Sequence, residues 1–312
     1  MKYTLSAFSL ILIIIFLEIF LRLFFHNSMN YEIEMMKYAN NFKKISQNKK
    51  VGIEHKKNIS GKLMGTEVHL DKNGFRINNK SKNKKSKNKK MIMLGDSMTF
   101  GWGANHTFSS LLNKKIENYE IFNAGIGNTN TIMQINNFFD NFNNKFNYDV
   151  IVLNFFINDF ENVVIQKPNI FQKYSYLYTF VNNKMNTILI KFKIKNDWKS
   201  FYSENYLNLK IKNETLSLID ELNNYCLDNN IKFVIHNIPE LRDLNNYKFT
   251  KETEIIKNFA KTKKIIYIDS LDELKKYRPE SLWVTVSDPH ANDKAHNIIA
   301  NHLFENLEFL IN

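Results

Sequence analysis

Apolar positions along the chain first run almost unbroken, then alternate, then settle into blocks of strand and helix length. Residues 5–25 form a stretch of about 21 that is nearly all apolar, matching the roughly 20 needed to cross a bilayer as a helix. Glu18 and Arg22 interrupt it. Four apart, they share one helical face and can pair near the end of the span. A cleaved signal peptide needs small residues after its apolar core, and residues 18–26 contain none. The expectation is therefore an uncleaved signal anchor over residues 1–26, touching the membrane through 5–25. Charge around it is nearly balanced, Lys2 on one side and Arg22 and His26 on the other. The short N-terminal tail favours export of the large C-terminal part.

Residues 27–90 read as a polar prelude. Residues 31–48 mix polar and aromatic positions and suggest a short helix, and 66–70 alternates as a strand does. Residues 71–74 have turn chemistry, and 79–90 is a low-complexity Lys/Asn/Ser linker. From Met91 the pattern becomes strand, helix, strand. It predicts strands at 91–94, 120–123, 148–156, 232–237 and 264–269, and helices at 107–117, 129–142, 213–229, 252–261 and 292–310. Such alternation predicts an α/β domain over 91–312: a flavodoxin-like three-layer fold, its parallel sheet of about five strands covered on both faces. Residues 160–210 break the rhythm. They are rich in Tyr, Phe and Lys, and too long for an ordinary connection. They read as a helical insertion beside the site, with Phe171, Tyr174, Tyr176, Tyr178, Phe180 and Trp198 either covering the substrate, filling a satellite core or sitting at the membrane beside the anchor.

Composition changes this picture little. The 312 residues carry a net charge of +12, but Lys80, Lys82, Lys84, Lys85, Lys87, Lys89 and Lys90 lie in one polar stretch that reads as solvated. Without an RNP-like pattern, zinc spacing or basic helix, no nucleic-acid partner is expected. The single cysteine, Cys226, excludes an internal disulfide.

The chemistry is concentrated where the strands end. The first ends in Gly95-Asp96-Ser97, the second in Asn123-Ala124-Gly125-Ile126-Gly127, the third in Asn154 to Asn158-Asp159. Just before the last helix comes Ser287-Asp288-Pro289-His290. In open α/β sheets, sites form at these carboxyl ends. Taken alone, each block has a plain reading: a helix cap at Ser97, a turn at Asn158, and helix entry at Asp288 with Asn292 as cap. His296 and His302 read as structural, and His236 has no partner in the sequence.

In order and spacing, the four blocks resemble the SGNH hydrolases, the GDSL-type esterases. The anchor, the Asn73-Gly74-Phe75-Arg76 segment and the run from Gly95 to Gly103 look like the membrane-anchored bacterial members. The resemblance covers residues 91–310 and implies a Ser-His-Asp site needing no cofactor and no metal. Ser97 would be the nucleophile, His290 the base and Asp288 its orienter. The oxyanion hole would be formed by the N–H groups of Ser97 and Gly127 and the amide of Asn158, with Gly125 competing for the role of Gly127. Two departures stand out: Phe156 replaces the glycine that usually opens the third block, and Asp288 lies two residues before His290, with Ser287 at the usual aspartate place. The function implied is hydrolysis of an O-acyl, specifically acetyl, ester on a cell-envelope carbohydrate. The rivals are an O-acetyltransferase using the same triad and a catalytically silent, membrane-tethered glycan-binding protein.

Overall fold

The computed structural model describes residues 2–77 and 87–311. Its strands are β1 (Lys43–Ile45), β2 (Ile53–His55), β3 (Ile59–Leu63), β4 (Thr66–Leu70), β5 (Arg76–Ile77), β6 (Lys89–Leu94), β7 (Tyr119–Asn123), β8 (Val150–Phe155), β9 (Lys232–Asn237), β10 (Ile266–Asp269), β11 (Trp283–Thr285) and β12 (Asp288–Ala291). Its α-helices are α1 (Lys2–Phe25), α2 (Tyr31–Asn41), α3 (Ser97–Phe100), α4 (Phe108–Lys115), α5 (Thr131–Asn137), α6 (Ile170–Tyr174), α7 (Tyr176–Lys191), α8 (Trp198–Asn205), α9 (Leu209–Asp228), α10 (Thr250–Lys263), α11 (Leu271–Leu274) and α12 (Asp293–Ile311). Residues 79–86 of the expected linker lie outside the described residues.

Five strands are parallel, in the order β7-β6-β8-β9-β10. Numbered along the chain this is 2-1-3-4-5, the flavodoxin-like order. Strand β8 has all six residues buried, which is why it reads as a continuous apolar run rather than an alternating one. The chain moves outward from β6 to β7, then returns across β6 to β8. Right-handed crossovers therefore place α4 and α5 on opposite faces.

The sheet is wider than the five strands expected. Strands β3, β4 and β5 extend it antiparallel to eight, β5 pairing with β7 at Arg76↔Asn123. The prelude is thus one edge of the sheet, and the change in composition at residue 90 is not a break in packing. Strand β4 buries Thr66, Val68 and Leu70 and turns Glu67 and His69 outward. Asp71 closes the following turn by accepting the N–H groups of Asn73 and Phe75 at 2.8 and 2.9 Å. Arg76 then enters the core. Its guanidinium donates to the carbonyls of Phe100 (2.8 Å), Gly101 and Ala104 (2.7 Å).

Among the described residues one helix, 3–25, is long and apolar enough to cross a membrane, and it is almost wholly exposed. The Glu18–Arg22 pair forms as expected, at 2.8 Å. The insertion is helical, as α6, α7 and α8.

Replacing Arg76 by Met strands three buried carbonyls. At about 1–3 kcal/mol each, a loss of roughly 3 kcal/mol or more is expected, read as a fall in the urea midpoint.

His55, His236 and His296 are fully buried, and desolvation pushes each down to about 3 from 6.5. Below pH 6.5 the unfolded chain takes up protons that the folded chain refuses. The stabilisation is complete above that pH and is lost as pH falls toward 3. At pH 5.5 each histidine should cost on the order of 1 kcal/mol relative to pH 8. Urea midpoints across this range should fall steadily, and less steeply in His236→Gln.

Candidate active site

The first parallel strand does not lead into a long helix. It ends in a turn and the four-residue α3, which stops at Gly101 in the left-handed region (φ +83°). A side chain at Gly95 is excluded by space, since its Cβ would lie 2.1 Å from Thr99 Oγ1 and 3.1 Å from the Asn154 carbonyl. Asp96 caps α3 by accepting the Met98 N–H at 2.8 Å, which leaves Ser97 at the first helical position. A residue there has no intrahelical acceptor for its N–H.

Ser97 and Asn158 follow β6 and β8, on either side of the point where the strand order reverses. His290 and Asp288 arrive from β12, paired with β11. Ser97 Oγ lies 2.9 Å from His290 Nε2, and His290 Nδ1 lies 2.6 Å from Asp288 Oδ1. With Nδ1–H donating to the carboxylate, Nε2 is left to accept from the serine hydroxyl. Burial alone would raise the Asp288 carboxyl. The bonds from His290 and from Trp102 Nε1 (2.8 Å) outweigh it and hold the group below the usual carboxylate range. Ser287 is exposed and meets only Thr285 Oγ1, at 3.3 Å. Asp288, not Ser287, touches the histidine.

Asn158 Nδ2 donates to Asp96 Oδ2 at 3.1 Å, and Asn158 lines the same pocket as Ser97. Ser97 Oγ is a looser 3.4 Å from the same carboxylate oxygen. Burial raises the pKa of Asp96. Burial, followed by the charge of Asp96, pushes Asp159 well above its usual range. Asp159 accepts from Phe156 N–H (2.7 Å) and Gln134 Nε2 (2.9 Å), so it braces the loop that carries Asn158.

The expected oxyanion donor Gly127 does not match this geometry. Its N–H is committed to the hydroxyl of Tyr38 at 3.0 Å, because α2 lays that ring against the loop. A Cβ on Gly127 would lie 2.8 Å from Tyr38 Cε1 and 3.5 Å from Ser97 Cβ. The glycine is needed for this close approach. Gly125 is no substitute, since its N–H binds Asn123 Oδ1 at 3.0 Å. A Cβ there would sit 2.3 Å from the Phe100 nitrogen.

The site opens into a pocket of about 230 Å³. Tyr31 stacks on the His290 ring (centroids 5.9 Å, 25° between planes). Phe156 and Tyr202 meet edge to face at 6.4 Å. Glu240 and Arg242 pair at 2.7 Å. Of residues 160–210, Glu161, Phe201 and Tyr202 line this pocket, and none of the six aromatics weighed as a cover does. Tyr31, Trp102, Tyr202, Glu240 and Arg242 are the residues that sequence reasoning missed. Only Trp102 left a signal, inside the run from Gly95 to Gly103. His236, by contrast, is buried away from the pocket between Asn154 Oδ1 and Ser270 Oγ, 2.8 Å from each.

No protein-family model and no curated protein matches the sequence. Solved structures do resemble the fold. A catalytic mutant of an acetylxylan esterase from Geobacillus stearothermophilus is 12% identical, with 72% of this chain and 96% of that one covered and a TM-score of 0.46. Another acetyl xylan esterase is 18% identical (69% and 98% covered, TM-score 0.42). A member of the lipolytic protein G-D-S-L family from Veillonella parvula is 14% identical (69% and 96%, TM-score 0.43). At these values the fold assignment rests on the chain's own strand order.

Trp102→Phe removes a buried hydrogen bond to a charged group and should cost about 1.5–3 kcal/mol of stability. Ser287→Ala should leave the urea midpoint within about 0.5 kcal/mol of the parent.

Proposed function

We propose that this chain is a serine ester hydrolase of the SGNH type. It removes a short acyl group, acetyl in the first instance, from a hydroxyl of a cell-envelope carbohydrate, outside the cytoplasmic membrane and tethered by α1. The observation that carries this reading is the continuous line from Ser97 Oγ through His290 to Asp288, at 2.9 and 2.6 Å, at the mouth of a pocket.

In the forward step Ser97 Oγ bonds to the ester carbonyl carbon and its proton passes to His290 Nε2. Asp288 stabilises the resulting imidazolium. The carbonyl oxygen becomes an oxyanion, met by the Ser97 N–H and the free hydrogen of the Asn158 amide. His290 returns the proton to the leaving alcohol. Water then attacks the acyl-serine by the same path and releases the carboxylic acid. A pocket of about 230 Å³ is below the 300–1,000 Å³ common for drug-sized ligands, which favours a short acyl group over a lipid chain. Tyr31, Tyr202 and the Glu240–Arg242 pair at its wall suit a hydroxylated alcohol part.

Ser97→Ala should abolish hydrolysis of p-nitrophenyl acetate and labelling by a fluorophosphonate while keeping the parent's urea midpoint. Labelling that persists would move the nucleophile elsewhere. Asn158→Ala should lower kcat about 10²–10³-fold with KM nearly unchanged. Asp288→Asn should lower kcat by roughly 10³-fold or more, and Ser287→Ala should not alter it. Sugar acceptors added to the assay separate hydrolysis from transfer: acetate released at an undiminished rate supports the hydrolase.

A further inference from the structure

The charged pair inside α1 holds the insertion. Glu18 accepts hydrogen bonds from Ser175 Oγ (2.8 Å) and from the N–H groups of Tyr176 (3.0 Å) and Leu177 (2.9 Å), capping the start of α7. Arg22 donates to the Tyr174 carbonyl and lies 4.8 Å above the Tyr176 ring. Tyr176 is buried against Leu21 and Ile33. Phe25 meets Phe180 at 6.0 Å. The first turn of α7 is therefore clamped to the last two turns of α1. At 1.5 Å per residue, Glu18 lies about 10 Å short of the end of the apolar stretch at Phe25. In a bilayer crossed by residues 5–25 that depth lies among the outer acyl chains, within the roughly 5–10 Å that an interfacial helix buries its apolar face.

Beyond the clamp, α7 turns apolar side chains away from the protein. Tyr178, Val181, Met185, Ile188 and Phe192 are 36–71% exposed. Their spacing of three and four residues puts them in one stripe. Ile170 and Phe171 of α6 add to it. Exposed apolar surface of this extent marks a contact site. Lys184 and Lys191 flank the stripe, and Tyr174 and Tyr178 stand at its clamped end, the arrangement of a helix lying in a membrane interface.

We propose that α6 and α7 lie in the outer interface of the bilayer beside α1, with this stripe in contact with lipid. The chain then holds the membrane through two elements, and the Glu18 clamp sets the angle at which the catalytic domain stands. This inference rests on the reading of α1 as a membrane span.

The test uses the full chain reconstituted in phosphatidylcholine/phosphatidylglycerol vesicles. Single cysteines at Val181, Met185 and Ile188 carry an environment-sensitive fluorophore. Thr187→Cys serves as the polar-side reference and Ile13→Cys as the reference for α1. Native Cys226 is buried, and the unsubstituted chain gives the background. The stripe positions should lose emission to a lipid-borne quencher and resist aqueous iodide, as Ile13 should, whereas Thr187 should respond to iodide. Stripe positions that respond to iodide while Ile13 responds to lipid would overturn the inference and leave the anchor standing. If Ile13 also responds only to iodide, both fall. Efficient Met185→Cys disulfides between copies at high dilution in lipid would overturn it in favour of a second copy on this face.

Discussion

A buried guanidinium holds the turn that carries Ser97 in place. Arg76 reaches from the antiparallel edge of the sheet to three carbonyls at and beyond the end of α3. Its side chain also lies 4.9 Å over the Phe100 ring. A helix of one turn has almost no stability of its own, because nucleation fixes more dihedrals than its bonds repay. The Arg76 contacts substitute for the missing turns. The loop on the other side of Ser97 is gripped in the same way: the Gly127 N–H donates to Tyr38, and the Tyr38 hydroxyl lies 2.6 Å from His55 Nε2. His55 Nδ1 lies 3.0 Å from the Gly74 carbonyl. A neutral histidine satisfies both ends of this chain, which agrees with its low pKa. Lys43 adds a bond to the Gly127 carbonyl at 3.1 Å. These contacts around Ser97 all come from residues 38–76.

That dependence was invisible in the sequence, and the reason is physical. Periodicity reports which face of an element is buried, not what buries it. Strands β6 and β8 were legible because both their faces are covered, and α4, α9, α10 and α12 because each has one apolar stripe. Strand β5 has two residues and β1 and β2 three each, too few for alternation to register. Tyr31 belongs to the pocket only because α2 folds back over the strand ends, a contact of long sequence separation with no local mark. The strand-end residues were legible for a different reason. A parallel sheet exposes its chemistry at one edge, so Ser97 and Asn158 could be found by reading where apolar runs stop, and the segment through His290 by its place just before the last helix. Gly127 illustrates the limit of that approach. Its N–H was expected in the oxyanion hole, yet it donates to the Tyr38 hydroxyl, whose ring fills the space a side chain would take.

Behind the site, polar groups are tied across the sheet. Asn154 donates to the Leu94 carbonyl at 2.9 Å, just ahead of Gly95, and its other end meets His236, which meets Ser270. Four adjacent strands, β6, β8, β9 and the end of β10, are thereby linked at one level. Movement of the turn that carries Ser97 relative to the loop that carries Asn158 would have to break these bonds in an interior that offers no water to replace them.

The stacking of Tyr31 on His290 also dictates an order of events during synthesis. The chain emerges with α1 first, and the edge residues that will brace the turn at Ser97 follow at once. Arg76 can pair with β4 but not with the parallel strands until β7 exists, and Ser97 has no histidine beside it until β12 has been made. Tyr31 must therefore wait for its partner near the opposite terminus, which makes that contact a closure of long sequence separation. A polypeptide cut short anywhere before His290 leaves Ser97 without its hydrogen-bond partner, so the site is assembled only when segments some two hundred residues apart meet.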